Sequence, residues 1–404
     1  MKQNNMIQMI EQSQVEWKTI EEVFNIKNGY TPSKSNKEYW EKGTIPWFRM
    51  EDIRENGQII HDSLQKVSES AVKGGKLFPA NSIIVATSAT IGEHALITVP
   101  FLANQRFSCL SVKQKYQQNF DIKFLFYYCF LLSDWCKKNT TMSSFASVDM
   151  VGFRKFQIPI PPLETQKEIV RILDALTAVT SELTSELTSE LKLRQKQYQY
   201  YRDHLLSFGD DVEWKSLGEV AEFSYGYAAK AEDMGNARFV RITDINENGK
   251  LIPFDVKYVN LSSENEQYIL QKNDVLMART GATYGKTMIF EEDYPAVYAG
   301  FLIKIDLDKT ILNPKYYWHF AQSSFFWEQA KKLVSGGGQP QFNANVLKKV
   351  SLKIPPLATQ QKIVEILDKF DRLTHSLSEG LPKEIELRRK QYEYYRDTLL
   401  NFPK

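Results

Sequence analysis

A few short stretches carry residue types that could do chemistry. GATYGKT (281–287) holds the glycines, Lys286 and Thr287 that a phosphate-cradling loop needs. Such a loop wraps backbone N–H groups around phosphates and needs four residues between its glycines. Here only three stand between Gly281 and Gly285, and the matching SATIGEH (88–94) has Glu93 where Lys286 stands. A tight turn after a strand accounts better for the glycines. NPKY (313–316) contains part of the tetrapeptide with which amino-methyltransferases grip a flipped base, but its second proline is missing and no glycine-rich cofactor loop lies upstream. Pro314 in the first turn of a helix is the simpler reading. VEWK at 15–18 and 212–215 contains the Glu-x-Lys of nucleases without the Pro-Asp that should precede it. Trp17 and Trp214 are therefore expected to anchor the start of each domain in its core. His61, His94, His204, His319 and His375 share no metal-ligand spacing, and no Gly-x-Ser-x-Gly elbow occurs. The sequence assigns no catalytic residue and no metal.

With no catalytic set, the composition bounds what remains. A chain of 404 residues holds two or three domains. Hydrophobic residues at 43% and charged residues at 25% are ordinary for a soluble globular protein. No run of 18 or more apolar residues predicts a membrane span. The polar start MKQNNMIQMIEQSQ is no secretory signal. Cys109, Cys129 and Cys136 form no CxxC pair and read as reduced core thiols of a cytoplasmic protein. A net charge of +2 means that any nucleic-acid contact must come from local basic patches or from a partner.

The elements that position these residues are written twice. PPLETQKEIVRILD (161–174) returns as PPLATQQKIVEILD (355–368), and LRQKQYQYYRDHLLSF (193–208) returns as LRRKQYEYYRDTLLNF (387–402). Both pairs share one offset, 194, and 26 of the 48 positions in 161–208 match their partners, which makes this a true internal repeat. Weaker matches join VEWKTIEEV (15–23) to VEWKSLGEV (212–220), FRMEDIRENGQI (48–59) to VRITDINENGKL (240–251), and NSIIVATSATIG (81–92) to NDVLMARTGATYG (273–285).

Each half is thus a varied domain followed by a well-matched helical segment. Ile169, Ile172, Leu173, Leu176, Val179, Leu183, Leu187 and Leu191 recur three or four apart, and Tyr198, Tyr201 and Leu205 extend the stripe. A helix from about Glu164 to Leu206 would be roughly 60 Å long and needs a partner for that stripe; the distal copy is the natural one. Gly380 and Pro382 predict a break or kink in that copy. IIVATSA and VLMART read as strands, and KFLFYYCFLLSDW (123–135) and KYYWHFAQSSFFW (315–327) as buried helices. The expected order is a first variable domain at 1–157, a central helical spacer at 158–208, a second variable domain at 209–351 and a distal helical segment at 352–404. The fold class is α+β, with the two helical segments as an antiparallel coiled coil.

Two variable domains alternating with segments that carry PPLxxQ…IVxILD and RxKQYxYYRDxLL resemble the specificity subunit of a type I restriction-modification system, over nearly the whole chain. The resemblance implies a non-catalytic, clamp-like subunit with two target-recognition domains held apart by the helices. Each domain would read one half of a split, asymmetric target in double-stranded DNA. The helices would dock two modification subunits, which use S-adenosylmethionine to methylate adenine. ATP-dependent restriction subunits would join them. The chain itself would need no cofactor and touch no membrane. The contrasting reading is a coiled-coil scaffold that does not recognise DNA.

Backbone contacts position a protein on DNA, and base contacts specify. Candidates in the first domain are Tyr30, Lys34, Lys37, Arg49 and Arg106; in the second, Tyr227, Lys230, Arg241, Arg279, Lys286, Gln339 and Gln341. Arg49 and Arg241 hold equivalent positions, which suits a shared phosphate or structural role. Arg279 faces Thr87 across the repeat, which suits a base reader. TSELTSELTSEL (180–191), with Leu183, Leu187 and Leu191, then reads as a spacer. Four added residues lengthen a helix by about 6 Å and turn it by about 40°, against about 3.4 Å per base pair.

Overall fold

The computed structural model describes residues 10, 13, 15–141, 146–334, 342–376 and 378–404. The chain divides into two compact units, Met1–Leu183 with Arg388–Lys404, and Thr184–Leu387.

In the first unit, strand Glu16–Thr19 pairs antiparallel with Gln157–Ile160, so the domain's start and end lie side by side. Its five-stranded sheet runs in the order Phe24–Asn28, Phe107–Val112, Ser82–Ala86, His94–Ile97, Ile59–Ile60. The run SIIVA (82–86) is buried at every residue because both faces of the sheet are covered. Ile83 and Val85 pack against the aromatic helix Ile122–Lys138 (α1), while Ile84 and Ala86 pack on the other face with Phe48 and Phe101. The Asp121 side chain caps α1, accepting from Lys123 N at 2.8 Å.

The second unit repeats this plan. Trp214–Ser216 pairs antiparallel with Ser351–Lys353. A four-stranded sheet runs Ala221–Tyr225, Leu302–Leu307, Val275–Ala278, Thr287–Ile289. Where one buried helix is expected over 315–327, two form: Pro314–Phe320 (α3) and Ser324–Leu333 (α4). The cause is Ser323, whose hydroxyl donates to Phe320 O at 2.6 Å and accepts from Phe326 N at 3.4 Å, ending one helix and capping the next. Pro314 occupies the first turn of α3 behind the Asn313 cap, as the sequence predicts.

The helix Leu163–Leu206 (α2) contributes to both units. Its 44 residues extend about 66 Å at 1.5 Å each. Across the TSEL run Leu183, Leu187 and Leu191 are half-buried, and Ser181, Ser185 and Ser189 are exposed. Val179 leaves the stripe, being 62% exposed: at about 100° per residue it lies about 120° round from Leu173. The distal segment is interrupted as expected, between Leu357–His375 (α5) and Gly380–Leu400 (α6). Gly380 has φ +81°, and a Cβ there would meet Arg372 O at 2.5 Å, so only glycine fits the restart.

The helices meet antiparallel within each unit. In the first, Thr177 donates to Tyr392 Oη at 2.9 Å, while Leu173 shares a core with Leu399 and Leu400. In the second, Tyr198 stacks on Phe370 with ring centroids 6.3 Å apart, while Leu206 shares a core with Ile363 and Leu367.

One buried glutamine seats each helix on its domain. Gln166 Nε2 donates to Asn119 O and Pro161 O, both at 2.8 Å, and its Oε1 accepts from Asp121 N at 2.8 Å. Gln360 makes the same three bonds, to Ile311 O, Pro355 O and Asn313 N. Two turns on, Asp174 takes Lys123 and the Tyr127 hydroxyl, each at 2.7 Å. Asp368 takes Lys315 at 2.8 Å and His319 Nε2 at 2.9 Å. Burial pushes the Asp368 carboxyl up, but hydrogen bonds from His319 and Lys315 outweigh it and hold it at about 2. Burial holds His319 below the usual imidazole value, so it stays neutral and its Nδ1 can accept from Tyr198 Oη at 2.9 Å.

Trp17 packs against the first core and donates to Pro403 O at 3.2 Å. Trp214 does not anchor the second domain as the sequence suggests. It is 57% exposed because it sits at the end of a three-residue strand, with Lys353 Nζ 5.5 Å from its ring centroid. All three cysteines are free and buried.

Candidate nucleic-acid interface

The candidate residues cluster where strands end in turns. In the second unit Arg279 follows strand Val275–Ala278. Its N–H donates to Phe301 O at 3.1 Å, and its carbonyl accepts from Phe342 N at 2.9 Å. Nε donates to Gly300 O at 3.1 Å, and the guanidinium lies 5.1 Å from the Tyr225 centroid and 5.5 Å from that of Phe301. Among the described residues its two Nη groups have no hydrogen-bond acceptor. Tyr225 and Phe301 are 44% and 57% exposed, so the guanidinium and both rings reach the surface together. A guanidinium steadied by two rings keeps its donor fork ordered at low entropic cost.

Thr87 occupies the same backbone slot in the first unit. Its N–H donates to Arg106 O at 2.9 Å, and its carbonyl accepts from Val148 N at 3.0 Å. The matched bonds confirm the pairing of Thr87 with Arg279 and add a second pair, Arg106 with Phe301. The cation has moved across the turn: the first unit carries it on exposed Arg106, the second on Arg279.

A cleft of about 370 Å³ in the first unit gathers Lys34, Lys37 and Arg49 with Trp40, Trp47, Glu41 and Gln65. Trp40 meets Trp47 edge to face at 5.0 Å, and the Arg49 guanidinium lies 5.6 Å from the Trp47 ring. Trp40 Nε1 donates to Ser33 O and Trp47 Nε1 to Tyr30 O, both at 3.0 Å. These tryptophans are absent from the sequence-based candidates. The signal was their interleaving with basic residues in KEYWEKGTIPWFR (37–49).

The other candidates fall elsewhere. The Tyr30 hydroxyl is engaged, donating to Ala71 O at 3.1 Å and accepting from Lys73 N at 2.9 Å. Tyr227 packs its ring 5.5 Å from Tyr268. Lys230 is exposed. Lys286 pairs with Glu247 at 2.9 Å. Gln339 and Gln341 lie outside the described residues. Arg241 forms a two-pronged pair with buried Asp244, at 2.6 and 3.1 Å. Arg49 N donates to the equivalent Asp52 at 2.6 Å. Each residue opens a short helix whose aspartate accepts from its backbone N–H, and Arg241 also pairs its side chain with that aspartate, while the Arg49 guanidinium lines the cleft. Among the described residues no cluster could hold a metal ion, and no helix is long and apolar enough to cross a membrane.

The family model described as the type I restriction modification DNA specificity domain matches this chain twice, at residues 12–193 and 209–387. The type I restriction enzyme EcoprrI specificity subunit of Escherichia coli is 47% identical over 91% of this chain and 90% of its own length. A putative type I restriction enzyme specificity subunit of Haemophilus influenzae is 34% identical over 98% of this chain and 97% of its own. A solved chain from a study of type I restriction-modification assembly and conformational transition shares the fold, with TM-score 0.66 at 16% identity, covering 96% of this chain and 97% of that one. Repeat, paired strand-end turns and sequence likeness agree: the chain belongs to the type I restriction-modification DNA specificity family.

Proposed function

We propose that this chain is the sequence-specific DNA-binding subunit of a type I restriction-modification complex. Each unit reads one half of a bipartite, asymmetric target. The observation that carries this reading is the pairing of a common helix seat with divergent turn ends. Gln166 and Gln360 make identical bonds, while Thr87 and Arg279 hold identical backbone slots with different side chains. A part that meets identical partners twice must stay alike, and a part that meets different bases must differ.

In this reading the helical segments dock two modification subunits and set the spacing between the half-targets through α2. The chain catalyses nothing: methyl transfer from S-adenosylmethionine belongs to the modification subunits, and cleavage belongs to restriction subunits. Arg279 reads by donating its fork to the major-groove edge of guanine, and lysines such as Lys34 and Lys37 neutralise phosphates. The test is to map methylated adenines in DNA treated with this chain and its modification partner. Two fixed sequences separated by a constant unspecified gap are expected. Methylation in one continuous sequence, or by the purified chain alone, would overturn the reading.

A further inference from the structure

The two units treat one repeated arginine differently. Arg202 and Arg396 occupy matching places in the YYRD motif. In the first unit the Arg396 guanidinium lies 4.4 Å from the Phe130 centroid, and its Nε donates to Asp397 Oδ1 at 2.8 Å. In the second unit Gln322 stands where Phe130 does, nine residues after the Asn313 cap as Phe130 is after Asp121. Without that ring a cavity of about 310 Å³ opens, and Arg202 forms part of its wall. Arg202 is only 9% exposed, yet its Nε has no hydrogen-bond partner. Its nearest carboxylate oxygen, Asp203 Oδ1, is 3.7 Å away, beyond hydrogen-bond reach. Arg202 is thus a buried cation without a full set of protein acceptors, on the wall of a cavity.

The rest of the wall suits an anion. Lys286 supplies a second cation, and Gln195, Gln199, Gln322 and Asn248 supply amides. The one carboxylate on the wall, Glu247, is 89% exposed at its side chain and holds Lys286 by a single surface ion pair. Such pairs are worth little, so an incoming oxyanion can displace it. We propose that this cavity binds a small free oxyanion, a phosphate or a carboxylate, held by Arg202 and Lys286. Its volume sits at the small end of ligand pockets, about 300–1,000 Å³. Arg202 is only 9% exposed, which favours a small free anion over a phosphate of duplex DNA.

The test is calorimetric titration of the full chain, without DNA, with inorganic phosphate and separately with acetate, each at ionic strength matched by chloride. Saturable binding of at least one probe is expected. Arg202→Gln should weaken it about tenfold or more, the usual consequence of losing a charge-assisted hydrogen bond. Gln322→Phe keeps the arginine but fills the cavity as Phe130 does, and should abolish binding while thermal unfolding stays at or above that of the wild type. No saturable binding by either probe would overturn the proposal. So would binding that survives Gln322→Phe in the folded protein, since the ion would then be adventitious. Because DNA is absent, neither failure bears on target recognition.

Discussion

The first and second units are the same construction finished differently. Beneath the surface they share a capped aromatic helix, a glutamine bridging three backbone groups, and an aspartate two turns on that takes a lysine. At the strand ends they part. Thr87 with Arg106 faces Arg279 with Phe301; away from the strand ends, in the aromatic run, Phe130 faces Gln322. The difference teaches that the glutamine seats stay alike because their amides are buried and fully paired. The turns vary freely because their side chains end in solvent or on a ligand.

The comparison can be broken most severely at the spacer. Deleting one TSEL unit should abolish methylation of the original target and create methylation of one with a shorter gap, both half-sequences unchanged. An active deletion variant with an unaltered gap would refute the spacer role of α2. Next is the common seat. Gln360→Ala and Gln166→Ala each leave one backbone N–H and two carbonyls without their partner. Each should cost about 3 kcal/mol or more in denaturant unfolding. Tolerance of one substitution but not the other would show that the units are not equivalently held.

A milder test uses the buried histidine of the first unit. Burial is the main cause holding His94 at about 4, below its usual 6.5, and it packs against Phe126 and Phe130. As pH falls below about 6.5 the unfolded chain takes up a proton that the folded chain refuses until about 4. Stability is therefore full at neutral pH and declines on acidification, with a slope from this group approaching about 1.4 kcal/mol per pH unit. His94→Phe should make that decline shallower in unfolding experiments between pH 7 and 4. An unchanged slope would show that the imidazole already gains its proton in the folded state.

Much of this organisation is legible in the residues. Spacing gave the helices, the repeat gave the equivalence of the units, and Gly380 with Pro382 marked the break before α6. What escaped was tertiary. Ser323 splits an aromatic run because its hydroxyl bonds both ways along the backbone, a choice that hydrophobic pattern does not encode. Trp214 matches Trp17 in sequence but not in burial: Trp17 packs on the first core and donates to Pro403 O, while Trp214 stays 57% exposed. Tyr30 and Arg241 resemble exposed readers in sequence, yet both are engaged by partners distant or buried enough to be invisible there.

The smallest change is also the most direct test. Arg279→Thr gives the second unit the residue that the first unit holds in the same slot. Methylated sites should be mapped, and binding measured on targets substituted base by base, with the variant assembled with its modification partner. The account predicts relaxed preference at one base pair in one half of the target, by about 1–3 kcal/mol, or about 5- to 150-fold, with the other half unchanged. A uniform loss across all sequences, or altered preference in both halves, would contradict it.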